Sequence, residues 1–401
     1  MKRSFLYFAM AGLLTIALSG CAGDDTGTTQ TQNQNQNTAP STQAASTYKI
    51  GVVTPLTGDA APLGQEERKL LEYRLAEINK ENEASGNKFE LSFEDGKCDG
   101  SSAVTAFQKL TDVDNVHFII GGSCSSETLG IAPLLVDKKA VAVSPTSSNP
   151  DIEGKSPNLF TLSYSDATVG EGIADQLGKF KKVALLSEQN DFNEGLKKTV
   201  EKNLKAKYPD TKIVANEEFP KGSTDFRNQL DKLKASKADA VFLNPNVGVT
   251  AQGLLKQIAE IKNWKTQFIS QFAYISSEVL KVAPKAAESM IVIDAPGVTD
   301  SKFVDYKNKA IAAIGSLDNL GSYYSASTLD TLNILSSLVA QNKGDADAVQ
   351  KALAGQTFTG YISNKIMFGG KSFVQGVGAV KFMVKDGKAE MADAKAATMK
   401  K

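Results

Sequence analysis

Apolar and polar positions along the chain follow two rhythms that trade places almost throughout. "KIGVVTPL" (49–56) is a short, β-branched apolar run and predicts a strand. "EERKLLEYRLAEINKE" (66–81) instead repeats at helical spacing, with Leu70, Leu71, Leu75 and Ile78 on one face. "KFELSFED" alternates strictly and predicts a second strand. "AVTAFQKLTD" then predicts a helix, "VHFIIGG" a strand, "LGIAPLLVDKK" a helix and "AVAVSP" a strand. A turn-rich break, "TSSNPDIEGKSPN" (146–158), interrupts the series. The same grammar restarts with strands at "KVALLSE", "TKIVANEE", "ADAVFLNP", "TQFISQF" and "SMIVIDA". Helices at about 168–180, 192–206, 224–236, 248–262 and 276–283 separate them. Near-continuous apolar strands with helices between them indicate parallel sheets covered on both faces. Two such series predict two α/β lobes.

Beyond Ala295 the rhythm changes. Helical patterns at about 301–314, 322–342 and 346–354 precede "TFTGYISNKIMFGG", and "GAVKFMVKDGKAEM" predicts a hairpin turned at Asp386-Gly387. A chain that builds one lobe, then another, then adds helices and a hairpin is expected to pass between the lobes more than once.

Composition narrows what such lobes could do. The 401 residues leave room for two ordinary domains. Basic and acidic residues balance at 45 each, and losing Lys2 and Arg3 with a signal leaves 43 against 45. With no basic excess to neutralise phosphates, nucleic acid is not an expected partner. His117 is the one histidine, which removes most zinc sites and most general-base arrangements. No metal and no cofactor is expected.

The front of the chain has the pattern of an export segment. Lys2 and Arg3 precede the fourteen-residue apolar run "FLYFAMAGLLTIAL" (5–18). A membrane span takes about 20 residues, so 1–20 is expected to be a signal peptide. "LSGC" resembles a bacterial lipobox, which implies cleavage before Cys21 and a diacylglycerol on its sulfur. An ordinary signal with an incidental Cys21 is the alternative. Acyl chains anchor a protein by burying CH2 groups. The following stretch, to residue 47, lacks large apolar side chains and predicts a disordered tether (21–47 with the lipidated cysteine). With Cys21 lipidated, Cys98 and Cys124 remain as an even pair outside the cytosol. A bond between them closes a loop of about 25 residues, worth roughly 3 kcal/mol; two free buried thiols are the other reading.

"GGSCSSET" (121–128), at a predicted strand end, is the stretch richest in candidate chemistry. A serine or cysteine nucleophile needs a base within hydrogen-bond reach. His117 lies at the opposite end of the same strand, more than about 20 Å from Cys124 at strand spacing, so catalysis is not expected. "GGKS" (369–372) and "GEG" (170–172) lack the remaining glycines of phosphate cradles. What remains is a strand end feeding a helix N-terminus, where free N–H groups favour an anion. Ser125 stands where an N-cap serine would, either capping the helix or facing a ligand. "SPTSSNP" (144–150) is a second hydroxyl-rich loop past a strand end, where open α/β sheets bind their ligands.

Taken together, "EDGKCDG…GGSCSSET", "SPTSSNPDI", "YSDATVGEG" and "LLSEQNDFNEGL" resemble the leucine/isoleucine/valine-binding proteins of bacterial ABC importers, over about 48–385. The resemblance implies an α/β, type I periplasmic-binding-protein fold: two doubly wound parallel-sheet lobes joined by three crossovers. It places lobe 1 at 48–165 plus 296–376 and lobe 2 at 166–295 plus 377–401, with ligand held between them by closure. It also implies that Ser125 and Ser148 hold a ligand carboxylate, that Thr146 helps through its backbone, and that Asp166 helps hold an ammonium. Phe192 and Leu63 fall where the family often has tyrosine. Phe272, beside Gln271, falls where a second acid is expected. The carboxylate half of the site is thus retained and the ammonium half thinned, which admits an amide or a less charged carboxylate beside an ordinary amino acid. The implied role is a non-enzymatic, lipid-anchored, monomeric receptor outside the cytoplasm. It would deliver a small solute to an ABC permease and its ATPase. A ligand sensor of the same fold, reporting to a signalling partner, is the alternative.

Overall fold

The computed structural model describes residues 46–392. The first series of strands is β1 (Thr47–Thr54), β2 (Lys88–Asp95), β3 (Phe118–Gly121), β4 (Val141–Ser144) and β5 (Leu159–Thr161). They form a parallel sheet in the order β2-β1-β3-β4-β5. The second series is β6 (Lys182–Gln189), β7 (Lys212–Pro220), β8 (Ala240–Asn244), β9 (Gln267–Ser270) and β10 (Ile291–Asp294). Its parallel order, β7-β6-β8-β9-β10, repeats the first. A small pair, β11 (Thr357–Phe358) with β12 (Ile366–Met367), stands apart. The hairpin β13 (Val380–Lys385) and β14 (Lys388–Met391) adds antiparallel to β10. Asp386 and Gly387 turn it with φ of +50° and +72°, the double positive φ that a two-residue hairpin loop demands.

Helices flank both sheets. Within the first series lie α1 (Ala61–Glu81), α2 (Gly100–Gln108) and α3 (Ser125–Ile131). The second holds α4 (Asp166–Leu177), α5 (Asp191–Lys207), α6 (Arg227–Ala235), α7 (Val249–Glu260), α8 (Ser277–Leu280) and α9 (Pro284–Ala287). Then come α10 (Ser301–Ile314), α11 (Gly321–Gln341) and α12 (Ala346–Gly355). Despite their place in the chain, these three return to the first sheet. α11 packs on α1, β3 and β4, α12 packs on β4, and Phe373 bridges in parallel to Thr161 beyond β5. The chain therefore passes between the sheets three times, near 162–165, 295–300 and 376–379.

Side-chain chemistry explains most of these elements. Val183–Leu186 and Ala240–Leu243 are wholly buried, as central strands covered on both faces should be. Of the apolar face expected on α1, Leu70, Leu71 and Ile78 are buried and Leu75 is half-buried. α1 begins at Ala61 rather than 66, with Pro62 in its first turn, where a missing N–H costs nothing. Gly64 makes that start possible: a Cβ there would lie 2.1 Å from the Pro55 carbonyl oxygen. The close approach brings Leu63 and Glu67 to the C-terminal end of β1.

Three expectations needed correction. β5 went unforeseen, because three residues at the end of a turn-rich stretch carry no readable period. The helix expected over "LGIAPLLVDKK" is instead α3, which starts earlier and tightens into a 3-10 turn at Ala132–Leu134, where Pro133 has no N–H to continue it. The helix expected at 276–283 is two short ones, α8 and α9. Ala283 before Pro284 is held out of the helical region at φ −154°, ψ 68°.

Candidate functional site

In an open parallel sheet of order 2-1-3-4-5, loops leave the C-terminal ends of strands 1 and 3 in opposite directions, and a crevice opens between them. Here that place is the end of β1 and β3 in one lobe and of β6 and β8 in the other. A cavity of about 40 Å³ lies where these ends meet. Leu63 lines it from beyond β1, Ser123–Ser126 from beyond β3, and Thr146 and Ser148 from beyond β4. The other lobe contributes Asn190 and Phe192 from beyond β6, Asn246 and Val247 from beyond β8, and Phe272 from beyond β9. Cys98, Cys124 and Tyr324 complete the lining.

Of the residues singled out in the sequence, Ser125, Thr146, Ser148, Phe192, Phe272 and Leu63 all line this cavity. Asp166 stands one shell behind, at the start of α4, where Ser165 caps the helix. Its Oδ2 accepts a hydrogen bond from Ser148 Oγ at 2.9 Å, and its own N–H donates to the Ser148 carbonyl at 2.8 Å. Ser125 is not the N-cap, a position Cys124 takes. The Ser125 hydroxyl instead accepts from the N–H groups of Ser148 (3.4 Å) and Asn149 (3.2 Å), joining the two hydroxyl-rich loops. Because α3 is only seven residues long, hydroxyls and local N–H groups rather than a long helix dipole make this wall polar.

The loop is pinned from behind. Cys98 and Cys124 form a disulfide with Cα atoms 5.2 Å apart. Both of their N–H groups donate to the Glu127 carboxylate at 2.9 Å. Glu67, on α1, accepts from Thr54 Oγ1 (2.7 Å) and Ser123 Oγ (2.5 Å), while its Oε1 is buried without a partner. His117 Nδ1 donates to the Lys138 carbonyl at 3.0 Å, at the far end of β3.

Direct contacts shut the two lobes on each other. Lys221 Nζ donates to the Cys98 carbonyl at 2.7 Å, and Asn149 Nδ2 donates to the Asp191 carbonyl at 2.5 Å. A cavity of this size holds roughly three water molecules, so an amino-acid-sized solute enters only when the lobes part. Phe272 meets Tyr324 edge to face, with ring centroids 4.6 Å apart. Tyr324 OH donates to Tyr164 OH at 3.0 Å, and Tyr164 OH donates to Asp294. A larger cavity of about 820 Å³ runs beside the crossovers at 296–300 and 376–378, but among the described residues none of the unpaired buried polar atoms lines it.

Buried carboxyl groups surround the cleft, among them Glu188, whose pKa burial raises. Burial pushes Asp166 up to about 8, against the Ser148 hydrogen bond and with help from Asp294. It pushes Asp294 up to about 7, against the hydrogen bond from Tyr164. Glu67 is likewise raised by burial to about 7 and Glu127 to about 8, the latter with a contribution from Glu67. Each group binds its proton more tightly in the folded chain than in the unfolded one. The native state therefore holds the extra protons, and stability falls as pH rises from about 4.5 to about 8. The groups lowered by hydrogen bonds, Asp99 to about 2 among them, act in the opposite sense but only below about pH 4. The melting temperature is thus expected to fall between pH 5 and pH 8, and less steeply in Glu67→Gln. A melting curve that is flat or rising across that range contradicts this.

Sequence reasoning missed Glu67, Tyr164, Asn190, Asn246 and Asp294. Asn190 and Asn246 lie one and two residues past the ends of β6 and β8, polar positions that become informative only once the strand order is known. Tyr164 and Asp294 carried no signal, because 130 residues separate them.

Two parallel-sheet lobes closed on a small polar cleft at their strand ends define a class, the two-lobed receptors that shut over a solute. Residues 47–389 match the periplasmic binding protein family, and the chain belongs to it. It is 27% identical over 335 residues to the leucine-, isoleucine-, valine-, threonine- and alanine-binding protein of Pseudomonas aeruginosa, spanning 80% of this chain and 85% of that one. The fold matches a solute-binding protein of an ABC transporter from Rhodopseudomonas palustris, solved with p-hydroxybenzoic acid. That likeness has TM-score 0.75 and 19% identity over 86% of this chain and 95% of the other. It also matches the branched-chain amino acid transporter substrate-binding protein LivJ of Streptococcus pneumoniae, solved with isoleucine. There the TM-score is 0.74, with 20% identity over 86% and 98% of the two chains. Periplasmic binding proteins are extracytoplasmic receptors for small molecules rather than enzymes, and this chain is one of them. Among the described residues, no helix is long and apolar enough to cross a membrane.

Proposed function

We propose that the chain captures a small carboxylate-bearing solute (an amino acid or a close analogue) between its lobes and hands it to an ABC permease. The observation that carries this reading is the convergence of Ser125, Thr146 and Ser148 on one closed cavity, with Asp166 bonded to Ser148 behind them. Hydroxyls and N–H groups with no basic side chain in the lining make a grip for one small anion, strongest when water is excluded. Phe192, Phe272 and Leu63 supply the apolar wall. Amino acids in the name of the Pseudomonas relative and isoleucine in the Streptococcus structure support the solute class. In this reading the protein is a monomer whose lobes, 48–165 with 296–376 and 166–295 with 377–401, move against each other, and closure presents the permease with a single face.

A lipid on Cys21 would hold the receptor at the membrane. The lipobox, the signal and the tether lie outside the described residues, and recovery of a Cys21→Ser chain in the soluble fraction checks the anchor. For the solute, the test is thermal shift with millimolar amino acids, short carboxylates and benzoates, each beside the matching amine or alcohol without its carboxylate. A ligand at 100 times its dissociation constant adds about 2.7 kcal/mol. At least one carboxylate is expected to raise the melting temperature while its match does not. Stabilisation by carboxylate-free compounds alone contradicts the reading.

A further inference from the structure

Lobe 2 brings to the cavity a feature that the carboxylate grip leaves unused. Asn190 is the N-cap of α5, and its Oδ1 accepts from the Asn193 N–H at 3.0 Å. That bond fixes which way the amide points and leaves Nδ2, a donor, buried beside the cavity, within reach of the Glu188 carboxylate but without a well-aligned hydrogen bond. Asn246 repeats the arrangement: its Oδ1 accepts from the Val247 N–H at 2.9 Å, and its Nδ2 meets only the Cys98 sulfur, at 3.7 Å. A disulfide sulfur is a poor acceptor. Behind both stands Glu188, 1% exposed, whose Oε2 accepts from the Asn246 N–H at 2.8 Å and whose carboxylate also attracts the Asn190 amide. Two amide donors with their acceptor ends already committed thus line the cavity from the same lobe.

A buried donor left with only a poor acceptor weakens the closed state, and a ligand that supplies a better acceptor removes that cost. A methyl group in the same place makes it permanent. We infer that Asn190 and Asn246 form a polar subsite that selects, among small carboxylates, those with a hydroxyl, carbonyl or carboxamide oxygen at the end facing lobe 2. This inference rests on the carboxylate reading of the cleft and narrows its solute class. Purely aliphatic side chains are the ones this subsite rejects.

The test uses pairs of nearly equal shape: asparagine against leucine, threonine against valine, and 4-hydroxybenzoate against 4-methylbenzoate. Titration calorimetry on the full chain without its signal is expected to show the oxygen-bearing member of at least one pair binding tenfold or more tighter. Asn190→Ser and Asn190→Thr both keep an oxygen to cap α5 while removing the amide donor without adding charge to the cavity. Both should weaken that member about tenfold and leave its apolar match unchanged. If leucine, valine or 4-methylbenzoate binds as well as its partner in every pair, the polar subsite is refuted and the carboxylate grip stands. Equal weakening of both members by the Asn190 variants also refutes it, because a merely structural residue behaves that way. If no member of any pair binds, the polar subsite and the carboxylate grip fall together.

Discussion

Replacing Cys98 and Cys124 together by serine is expected to lower stability by about 3 kcal/mol. In a chain with this much ordered structure that is a drop in melting temperature of about 4 °C. The two cysteines are 26 residues apart, and their bond removes loop freedom from the unfolded chain. The folded state loses as well. The bond holds 96–100 against the start of α3, and the N–H groups of both cysteines share the Glu127 carboxylate. Once it is cut, those N–H groups and the Lys221 contact at the Cys98 carbonyl no longer have fixed positions. Solute binding should therefore weaken along with stability. Scanning calorimetry of the double variant, and of the native chain with and without dithiothreitol, measures the effect. An unchanged melting temperature, with both thiols open to alkylation in the native chain, overturns the pinning role.

How far the structure could be read in advance differs from element to element. β6, β8 and β10 are buried on both faces, so their runs of Val, Leu, Ile and Ala stand out against polar helices. β5 and the split between α8 and α9 turned on local backbone chemistry too short to leave a period, a tripeptide and a single pre-proline residue. The cleft depends on something the sequence does not carry, the order of strands within each sheet. Ser125 and Ser148 stood out because clustered hydroxyls at strand ends are unusual. Asn190 and Asn246 did not, because nothing in the sequence says that β6 and β8 are neighbours at a reversal of strand order. Phe272 was weighed as the place of a missing acid. Asp294 arrives near Asp166 from another strand, through a pairing of Tyr164 and Asp294 that no local pattern encodes.

Ser125→Ala carries the largest expected effect on binding, and its titration tests the central claim most directly. The change deletes a hydroxyl that is 2% exposed, lines the cavity and ties two loops together. A lost hydrogen bond to a charged group costs about 1.5–3 kcal/mol, a fall in affinity of one to two powers of ten. The stranded N–H groups of Ser148 and Asn149 also lower stability, so melting must be measured separately. Ser156→Ala, a buried serine of the same lobe outside the cavity lining, is the control. The measurement is calorimetric titration of the wild type and both variants with the carboxylate that stabilises the chain most. The account predicts a ten- to hundredfold weaker complex for Ser125→Ala and little change for Ser156→Ala. Wild-type affinity in Ser125→Ala, alongside a lowered melting temperature, would mean that the hydroxyl only joins the two loops and that no carboxylate sits there.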